Sequence, residues 1–331
     1  MTANPRIWVL LGHRKGDNNQ LLALAQGLGL PFETRSMRYN QLRRLPKRLL
    51  GPGLASVLPS ARQWLRPPWP DLVLGIGHRS VPVARYIRRA SGGSSKLVRL
   101  GNPRLDANHF DLVITTPQYG LQPSERVLRL PLTITSLQPQ ATVTDEERKF
   151  LDALPRPHRL MVVGGRNKHW RLSEAEAAGA AHSLMARCEQ DGGTLIVVGS
   201  PRTEPGVQQA VADAIAGSRH RHVAGKAPSY PCLLQDADEI HVTADSVSML
   251  SEAIFTGKPV GMIPVRRSFR GALAYALWNA GIARRPKPDL RAVWEELKST
   301  GLVGVIDAPR AGERPNPVTR GVEAVKALLA T

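Results

Sequence analysis

The chain has 331 residues, of which 42% are hydrophobic and 22% are charged. This length fits about two domains of ~150 residues each, and the balance excludes disordered and fibrous proteins. Lysine and arginine number 45 against 27 acidic residues, which gives a net charge of +18 at pH 7. Residues 1–135 hold 20 basic and 6 acidic side chains, whereas residues 136–331 hold 25 and 21. The positive excess therefore belongs to the first part of the chain, where it indicates a polyanionic partner.

Two cysteines, Cys188 and Cys232, are too few for a multi-disulfide scaffold or for a cysteine-based metal site without other ligands. The N-terminus lacks a secretory signal pattern, and no apolar run reaches the ~18 residues that a membrane-spanning helix needs. We therefore expect a cytoplasmic protein that could also bind peripherally to the inner face of the cytoplasmic membrane.

Short apolar runs rich in β-branched residues alternate with segments of helical periodicity, which is typical of a doubly wound α/β sheet. In the first part, strands are predicted at 7–11, 72–76, 96–100, 112–115 and 127–130, with helices near 19–28 and 81–89. The second part repeats the series, with strands predicted at 160–163, 194–198, 222–224, 239–243 and 259–263. Its helices are predicted near 173–190, 206–216, 230–236, 246–255 and 271–280. Two complete series predict two Rossmann-like domains.

The domains are predicted at residues 1–135 and 145–331, because Thr, Ser, Pro and Gln accumulate between Leu132 and Asp145. A last helix near 318–329 could pack on either domain. We expect the two domains to face a common cleft, since open α/β sheets bind ligands at the carboxyl ends of their strands.

A glycine pair ends the first strand of the second domain, in the run Val163-Gly164-Gly165-Arg166-Asn167-Lys168. Glycines at this position let backbone N–H groups approach a phosphate, and Arg166 and Lys168 supply positive charge. A purely structural turn is the alternative. No Walker sequence accompanies the pair, so an ATPase mechanism is not supported.

A second phosphate-binding pattern follows the predicted strand at 239–243, in the run Thr243-Ala244-Asp245-Ser246-Val247-Ser248. Asp245 or Ser246 is predicted to cap a helix whose free N–H groups, with the hydroxyls of Ser246 and Ser248, suit a diphosphate. Glu252 lies further along this helix, about 10 Å from Asp245, which is the scale of a nucleotide's diphosphate-to-ribose span. The alternative is a capped core helix with Glu252 in solvent. Asp245 itself would repel a phosphate unless its carboxylate turns away.

These patterns resemble the nucleotide-sugar half of GT-B glycosyltransferases, particularly the lipid-II-forming N-acetylglucosaminyltransferase type. The likeness is carried by Ser251-Glu252 and, four residues later, Gly257-x-Pro259. In that class the Glu of this helix binds the donor ribose, and a Gly-Gly loop faces the diphosphate. The resemblance implies donor binding here by Gly164, Gly165, Arg166, Asn167, Lys168, Thr243, Ser246, Ser248 and Glu252.

More closely, the chain resembles bacterial members of the "elongated mitochondria" (mitochondrial fission) family, which are assigned as GT-B glycosyltransferases. The matching runs include Gly16-Asp17-x-x-Gln20, Gly75-x-Gly77-x-Arg79-Ser80, Leu100-Gly101-Asn102-Pro103-Arg104, Gly164-Gly165-x-Asn167-Lys168-His169 and Val242-Thr243-Ala244-Asp245-Ser246. The resemblance implies a metal-independent glycosyltransferase that uses a nucleotide-sugar as donor substrate and no cofactor. The plant namesakes imply the alternative, a non-catalytic adaptor on the same scaffold.

The loop after the first strand holds the candidate catalytic bases. In the GT-B class a side chain of this domain often acts as general base on the acceptor hydroxyl, and the titratable candidates are Asp17 and His13. An imidazole suits this task at neutral pH, but Asp17 ranks first because it lies inside a matched run. The alternatives are that Asp17 caps a helix beginning at Asn18 or Asn19 and that His13 is a solvated loop residue.

The acceptor side is predicted in the first domain. Arg79 and Ser80 follow a strand and a glycine turn, so they could hold an acceptor phosphate at a helix start, although a capped tight turn is equally compatible. From Thr34 to Pro70 there are eight basic residues and no acidic one, interleaved with Leu and Trp. Such a surface suits anionic lipid headgroups, unless it is only an Arg-rich surface. The residues predicted to contact a membrane or a lipid-linked or envelope-glycan acceptor are Arg43, Arg44, Lys47 and Arg48.

Two other charged groups of the second domain have patterns that occur in functional sites. Asp236-Ala237-Asp238 has the spacing of a GT-A metal motif but lies where GT-A topology would not place it, so no metal site is predicted. Arg266, Arg267 and Arg270 could neutralise a leaving diphosphate or form a solvated basic turn. No recognised nucleic-acid motif accompanies the charge, so nucleic acid is not expected as a partner.

Overall fold

The computed structural model describes residues 4–135, 143–225 and 227–330, apart from the side chains of Lys47 and Arg48. Within these residues the chain divides into two compact units. The first unit holds the described residues up to Thr135 and those from Asn316 onward, and the second runs from Val143 to Pro315. The predicted second domain is therefore shortened at its C-terminal end.

The first unit is built on a parallel sheet. In chain order it begins with β1 (Ile7–Leu11), α1 (Lys15–Gly27), β2 (Phe32–Ser36), α2 (Lys47–Leu50), α3 (Pro59–Arg62), β3 (Leu72–Ile76), α4 (Val81–Ala90), β4 (Lys96–Leu100), β5 (Leu112–Thr115) and β6 (Val127–Arg129). Its six strands are ordered β2-β1-β3-β4-β5-β6. Val9 and Leu74 pack on one face of the sheet, and Trp8 and Val73 pack on the other. Burial on both faces explains why the central strands are continuous apolar runs.

The second unit repeats this architecture. It contains α5 (Asp145–Asp152), β7 (His158–Val163), β8 (Trp170–Arg171), α6 (Glu174–Asp191), β9 (Thr194–Gly199), α7 (Pro205–Ala214), β10 (Arg221–Val223), α8 (Tyr230–Asp236), β11 (Glu239–Thr243), α9 (Val247–Phe255), β12 (Val260–Ile263), β13 (Arg266–Arg267), α10 (Phe269–Asn279), α11 (Leu290–Ser299) and β14 (Gly304–Val305). The strand order of its parallel sheet is β10-β9-β7-β11-β12-β14, and β13 pairs antiparallel with β8.

The last helix, α12 (Pro317–Ala330), packs on the first unit. Its Val322 and Val325 join the core formed by α1 and the sheet. Glycine permits this close packing, because a Cβ on Gly27 would lie 2.8 Å from Val322 Cγ2. The sequence left open which domain the last helix packs on, and the structure places it on the first unit. In the described part of the chain, no helix is both long and apolar enough to cross a bilayer.

Candidate functional site

Two loops of the second unit are joined at the carboxyl edge of its sheet. They follow β7 and β11, which are hydrogen-bonded neighbours. The N–H of Gly164 donates to Oγ1 of Thr243 at 2.7 Å, and the N–H of Gly165 donates to Oδ2 of Asp245 at 2.9 Å. The Thr243 hydroxyl donates in turn to Oδ1 of Asp245 at 2.6 Å. The glycine pair and the Thr-Ala-Asp-Ser run therefore form one hydrogen-bonded structure.

Neither glycine of the pair has space for a side chain. A Cβ on Gly164 would lie 2.4 Å from the carboxylate oxygens of Asp245, and one on Gly165 would lie 2.1 Å from the carbonyl oxygen of Arg202. Packing therefore requires glycine at both positions, as the structural-turn interpretation holds. Because both N–H groups already donate within the protein, a diphosphate would be bound by other groups of these loops.

The start of α9 offers such groups. Ser246 occupies the N-cap position but makes no side-chain capping bond. No hydrogen bond described in this structure uses the N–H groups of Val247, Ser248 and Met249, and helix-start N–H groups attract anions. Asp245 does not cap the helix. Its buried carboxylate points to the glycine loop, and burial raises its pKa, so the charge expected to repel a phosphate is directed away from this helix start.

Glu252 lies further along α9 and is half-buried. It faces Tyr230 of α8, whose buried hydroxyl makes no hydrogen bond of normal geometry with the described residues. Burial raises the pKa of Glu252, and burial followed by the charge of Glu252 raises that of Tyr230. Glu252 is thus partly desolvated beside Tyr230 and not freely solvated. A carboxylate there can accept hydrogen bonds from a pair of hydroxyls.

Asn167 shapes the rest of the glycine loop. Its Oδ1 accepts hydrogen bonds from the N–H groups of His169 at 3.0 Å and Trp170 at 2.9 Å. Arg166 and Lys168 remain exposed on this turn. Arg166 lies 3.4 Å from Glu204, a surface pair of little energetic weight. Asn167 is thus a positioning residue, and the two cations are placed where an anion can reach them.

A third loop, after β9, packs against the glycine pair. The sequence patterns do not predict this contact. Thr203 donates to the carbonyl of Gly164 at 2.7 Å, and the carbonyl of Arg202 closes the space beside Gly165. From α11, Nε1 of Trp294 donates to the carbonyl of Ala244 at 2.8 Å. The available signal is the run Gly199-Ser200-Pro201-Arg202-Thr203, which ends a strand in the same way as the glycine pair does.

In the first unit, the catalytic candidates lie at the carboxyl edge of the sheet. Nη1 of Arg79 lies 3.1 Å from Nδ1 of His13. Asp17 lies beside the turn after β3, where a Cβ on Gly77 would be 3.7 Å from its Oδ2. The helix begins at Lys15, so Asp17 lies in its first turn, and the alternative that Asp17 caps a helix beginning at Asn18 or Asn19 is wrong. Desolvation and then the charge of Arg79 lower the pKa of the exposed His13, which favours a neutral imidazole.

A buried arginine underlies these residues. Arg99 of β4 is 1% exposed, donates to Oγ of Ser80 at 2.7 Å and also donates to the carbonyl of Gly77. None of the ion pairs in the described residues involves it, and burial lowers its pKa to about 10. The hydroxyl of Ser80 therefore accepts a hydrogen bond from Arg99 and makes no capping bond to α4. The sequence signal is one arginine inside the apolar run Leu97-Val98-Arg99-Leu100.

The basic segment between Thr34 and Pro70 exposes apolar side chains. Arg43 and Arg44 lie in a 3₁₀ turn, and Arg43 donates to the carbonyls of Tyr39 and Asn40. The side chains of Lys47 and Arg48 lie outside the described residues. Exposed beside this turn are Leu42 and Leu45, each 42% exposed, and Leu49, which is 76% exposed.

The acidic pair at 236–238 has a structural role. Asp236 lies 2.6 Å from Nδ1 of His158, and Asp238 lies 2.7 Å from Nη1 of Arg156. These contacts tie the start of β7 to the end of α8. Across the described ranges, no group of three or more His, Cys, Asp or Glu side chains is placed to hold a metal ion.

The sequence model of the family described as mitochondrial fission ELM1 matches residues 15–300. The chain belongs to this family. The uncharacterized protein RP120 of Rickettsia prowazekii is 23% identical over 77% of this chain and 82% of its own length. The mitochondrial fission protein ELM1 of Arabidopsis thaliana is 27% identical over 64% of this chain, and the match spans 57% of that protein's length. The family predicted from the sequence motifs is thereby confirmed.

Solved structures share the fold at low sequence identity. UDP-GlcNAc 2-epimerase from Neisseria meningitidis, bound to UDP-GlcNAc, is 11% identical and matches with a TM-score of 0.54 over 98% of this chain and 100% of that one. UGT89C1 of Arabidopsis thaliana, complexed with UDP-L-rhamnose, is 14% identical with a TM-score of 0.52 over 100% of both chains. At these identities the likeness shows the fold alone. It confirms the predicted α/β class with two Rossmann-like domains of GT-B type.

Proposed function

We propose that this protein is a glycosyltransferase that moves a sugar from a nucleotide-sugar to a membrane-associated acceptor, a lipid-linked or envelope glycan. The observation that carries the proposal is α9. Its first N–H groups are unused in the described hydrogen bonds, and Glu252 lies half-buried further along the same helix. This arrangement fits a diphosphate at one end and a ribose at the other.

The donor residues divide into two roles. The helix start with Ser246 and Ser248 binds the diphosphate, Arg166 and Lys168 add positive charge, and Glu252 accepts hydrogen bonds from the ribose hydroxyls. The residues that shape the loops are Gly164, Gly165, Asn167 and Thr243. Proteins of this fold have been solved with UDP-GlcNAc and with UDP-L-rhamnose, which supports nucleotide-sugars as the ligand class.

On the acceptor side, Asp17 is the proposed general base and His13 is the second candidate. The acceptor oxygen attacks the anomeric carbon, Asp17 takes the acceptor's proton, and the bond from the sugar to the diphosphate breaks. The electron pair leaves on the diphosphate, where the helix start and the cations stabilise it. Neither a metal ion nor a cofactor has a part in this proposal.

The charge near Asp17 supports an acceptor that carries a phosphate. Arg79 lies at the surface of this edge, and the buried charge of Arg99 lies beneath Ser80 without a carboxylate in an ion pair. A phosphate here would gain from both charges. Arg43 and Arg44, beside exposed leucines, support contact with the membrane that holds such an acceptor.

The proposal is tested first by donor binding. Thermal unfolding is measured with UDP, GDP, CMP and dTDP species, and we expect one base to stabilise the protein. Glu252→Ala should weaken this binding, whereas the matched control Glu295→Ala, an exposed carboxylate on α11, should leave it unchanged. If no nucleotide stabilises the protein, or if Glu252→Ala binds as tightly as the parent, the donor site is not where we place it.

A non-catalytic adaptor on the same scaffold is the second candidate. It is favoured by the family's description, which names mitochondrial fission and no reaction. Asp17→Asn separates the two functions. For an enzyme, we expect unchanged nucleotide binding and a loss of turnover of about 10²- to 10⁴-fold. An adaptor would keep its partner binding in both Asp17→Asn and Glu252→Ala.

A further inference from the structure

A row of apolar side chains on α10 is open to solvent. Phe269, Leu273 and Leu277 are spaced four residues apart, so they lie along one side of the helix. Their exposed fractions are 85%, 53% and 36%, and Ile282, just past the helix end, is 74% exposed. Ala272 and Ala276, also exposed, add no polar group to this side. Single exposed apolar residues are ordinary, but a contiguous row indicates an interaction surface.

The opposite side of α10 holds the helix firmly in place. Tyr275 is fully buried, and its hydroxyl donates to Asp289 at 2.5 Å. At the helix start, Oγ of Ser268 accepts from the N–H of Gly271 at 3.1 Å, and a Cβ on Gly271 would lie 2.1 Å from the carbonyl oxygen of His169. The outward direction of the apolar row is therefore fixed by packing.

The chain segment that carries this row holds charges of one sign. No acidic residue occurs between Glu252 and Asp289. Arg266 pairs with Glu176 and Arg285 pairs with Asp289. Among the exposed cations for which the described residues show no ion pair, Arg270 lies in the first turn of α10 and Arg284 lies after its end. Arg267 and Lys287 are two more, and Arg267 lies over the ring of Tyr275.

We propose that this α10 face, defined by Phe269, Leu273, Leu277 and Ile282, docks on an anionic lipid bilayer. An apolar row with cations at its ends and no acids has the composition of a helix that lies in the plane of a membrane interface. The apolar side chains enter below the headgroups, while Arg270 and Arg284 reach lipid phosphates. A second copy of the chain fits poorly, because pairing two such faces would bring cations together without an acid to compensate them.

The inference goes beyond the proposed reaction, since lipid docking requires neither a nucleotide nor a transfer step. It gives the second unit a membrane contact of its own, separate from the basic segment of the first unit. Its success or failure can therefore be read independently of the donor site.

The test is co-sedimentation of the full chain with vesicles of phosphatidylglycerol and phosphatidylcholine, compared with phosphatidylcholine alone. We expect binding to the anionic vesicles and a loss of about tenfold or more in the double variant Leu273→Gln/Leu277→Gln. Val305→Gln is the matched control, because Val305 is 50% exposed in the same unit but lies off the α10 face. Arg270→Gln/Arg284→Gln should weaken binding to the anionic vesicles selectively.

Thermal unfolding and nucleotide binding are measured for each variant as controls for folding and for the donor site. The proposal is overturned if the chain does not bind anionic vesicles, or if Leu273→Gln/Leu277→Gln binds them as well as the parent does. It is also overturned if light scattering without lipid shows an oligomer that the apolar substitutions dissociate, since a second copy would then cover the face.

Discussion

Each of the two units has its own parallel six-stranded sheet with a buried arginine, but only one of these arginines is paired with carboxylates. In the second unit, Arg159 donates to both carboxylate oxygens of Asp191, at 2.9 and 2.5 Å, and lies 3.4 Å from Glu239. The hydrogen bond with Asp191 raises the pKa of Arg159, whereas burial lowers that of Arg99 in the first unit to about 10. A buried charge is costly without a counter-charge. The proposal of an anionic ligand in the first unit rests on this difference, since Arg99 has no ion pair among the described residues and the more distant charge of Asp17 offsets its desolvation only in part.

The glycines that follow β1 and β7 differ in how closely the rest of the unit packs against them. After β7, side chains at Gly164 and Gly165 would collide with the protein. After β1, a Cβ on Gly12 or Gly16 would meet no atom within 4 Å. One glycine loop is filled by its own unit, and the other borders open space. Glycine at a strand end is thus by itself no evidence of a ligand.

The largest expected change in the free energy of unfolding comes from replacing the two buried arginines. Arg159→Met should lower the free energy of unfolding by about 3 kcal/mol, near the lower end for a broken buried pair because Asp191 is 38% exposed. Arg99→Met removes hydrogen bonds from a charged donor to two neutral acceptors, breaks no ion pair and relieves the desolvation of a buried charge, so we expect a loss below about 1.5 kcal/mol. Urea unfolding of the ligand-free chain measures both values.

Inorganic phosphate sharpens this comparison. It should stabilise the parent chain through the first unit, and Arg99→Met should reduce that stabilisation while Arg159→Met leaves it intact. Equal losses of stability in the two variants without ligand would mean that Arg99 is compensated after all, and the contrast between the units would be lost.

The glycine loops give the next largest effect. Gly165→Ala places a methyl group against a backbone carbonyl, so we expect a loss of about 1–3 kcal/mol in unfolding free energy. Gly16→Ala, in the first turn of the helix that follows β1, is the matched control. It should leave stability unchanged or raise it by up to about 1 kcal/mol, since Gly16 lies in α1. Similar losses at both positions would show that the loop after β1 is also closely packed.

The strands were the predictable part of this fold. The strand bounds predicted from the sequence coincide with those of β1, β3, β4, β5 and β11. β1, β3 and β5 are nearly continuous apolar runs, as expected for strands buried on both faces, and β4 and β11 are still marked by buried apolar residues between their polar ones. β2 is not predicted, since Phe32–Ser36 is an edge strand with exposed polar residues. α5 is missed because its sequence is mostly charged. It is marked by a capping box between Thr144 and Glu147.

The candidate site was predictable as a set of loops but not as a set of contacts. Glycines and hydroxyls after strands locate the loops correctly. Which N–H groups are free depends on contacts between segments distant in the chain, such as Gly165 with Asp245 and with Arg202. The burial of Arg99 and the partial burial of Glu252 beside Tyr230 arise in the same way. Local patterns carry no information about such pairings.

The smallest expected effect is a pH dependence of nucleotide binding, and it follows from opposite pKa shifts of one group in each unit. Desolvation lowers the pKa of His13, whereas burial raises that of Glu252 above its ordinary value of 4.5. If ionised Glu252 holds the ribose, nucleotide affinity should fall as the pH falls through this raised pKa, because protonation removes the carboxylate that accepts the hydroxyl hydrogen bonds. Glu252→Gln should bind more weakly and without this dependence.

Stability of the ligand-free chain should change in the opposite direction. A carboxyl whose pKa is raised by folding binds more protons in the folded state, so its contribution to stability grows as the pH falls from that raised pKa towards 4.5. Comparing the parent with Glu252→Gln isolates this contribution, because the other titrating groups are common to both. Acidification that weakens nucleotide binding equally in both proteins would assign the titration to another group, and Glu252 would then be excluded as the ribose ligand.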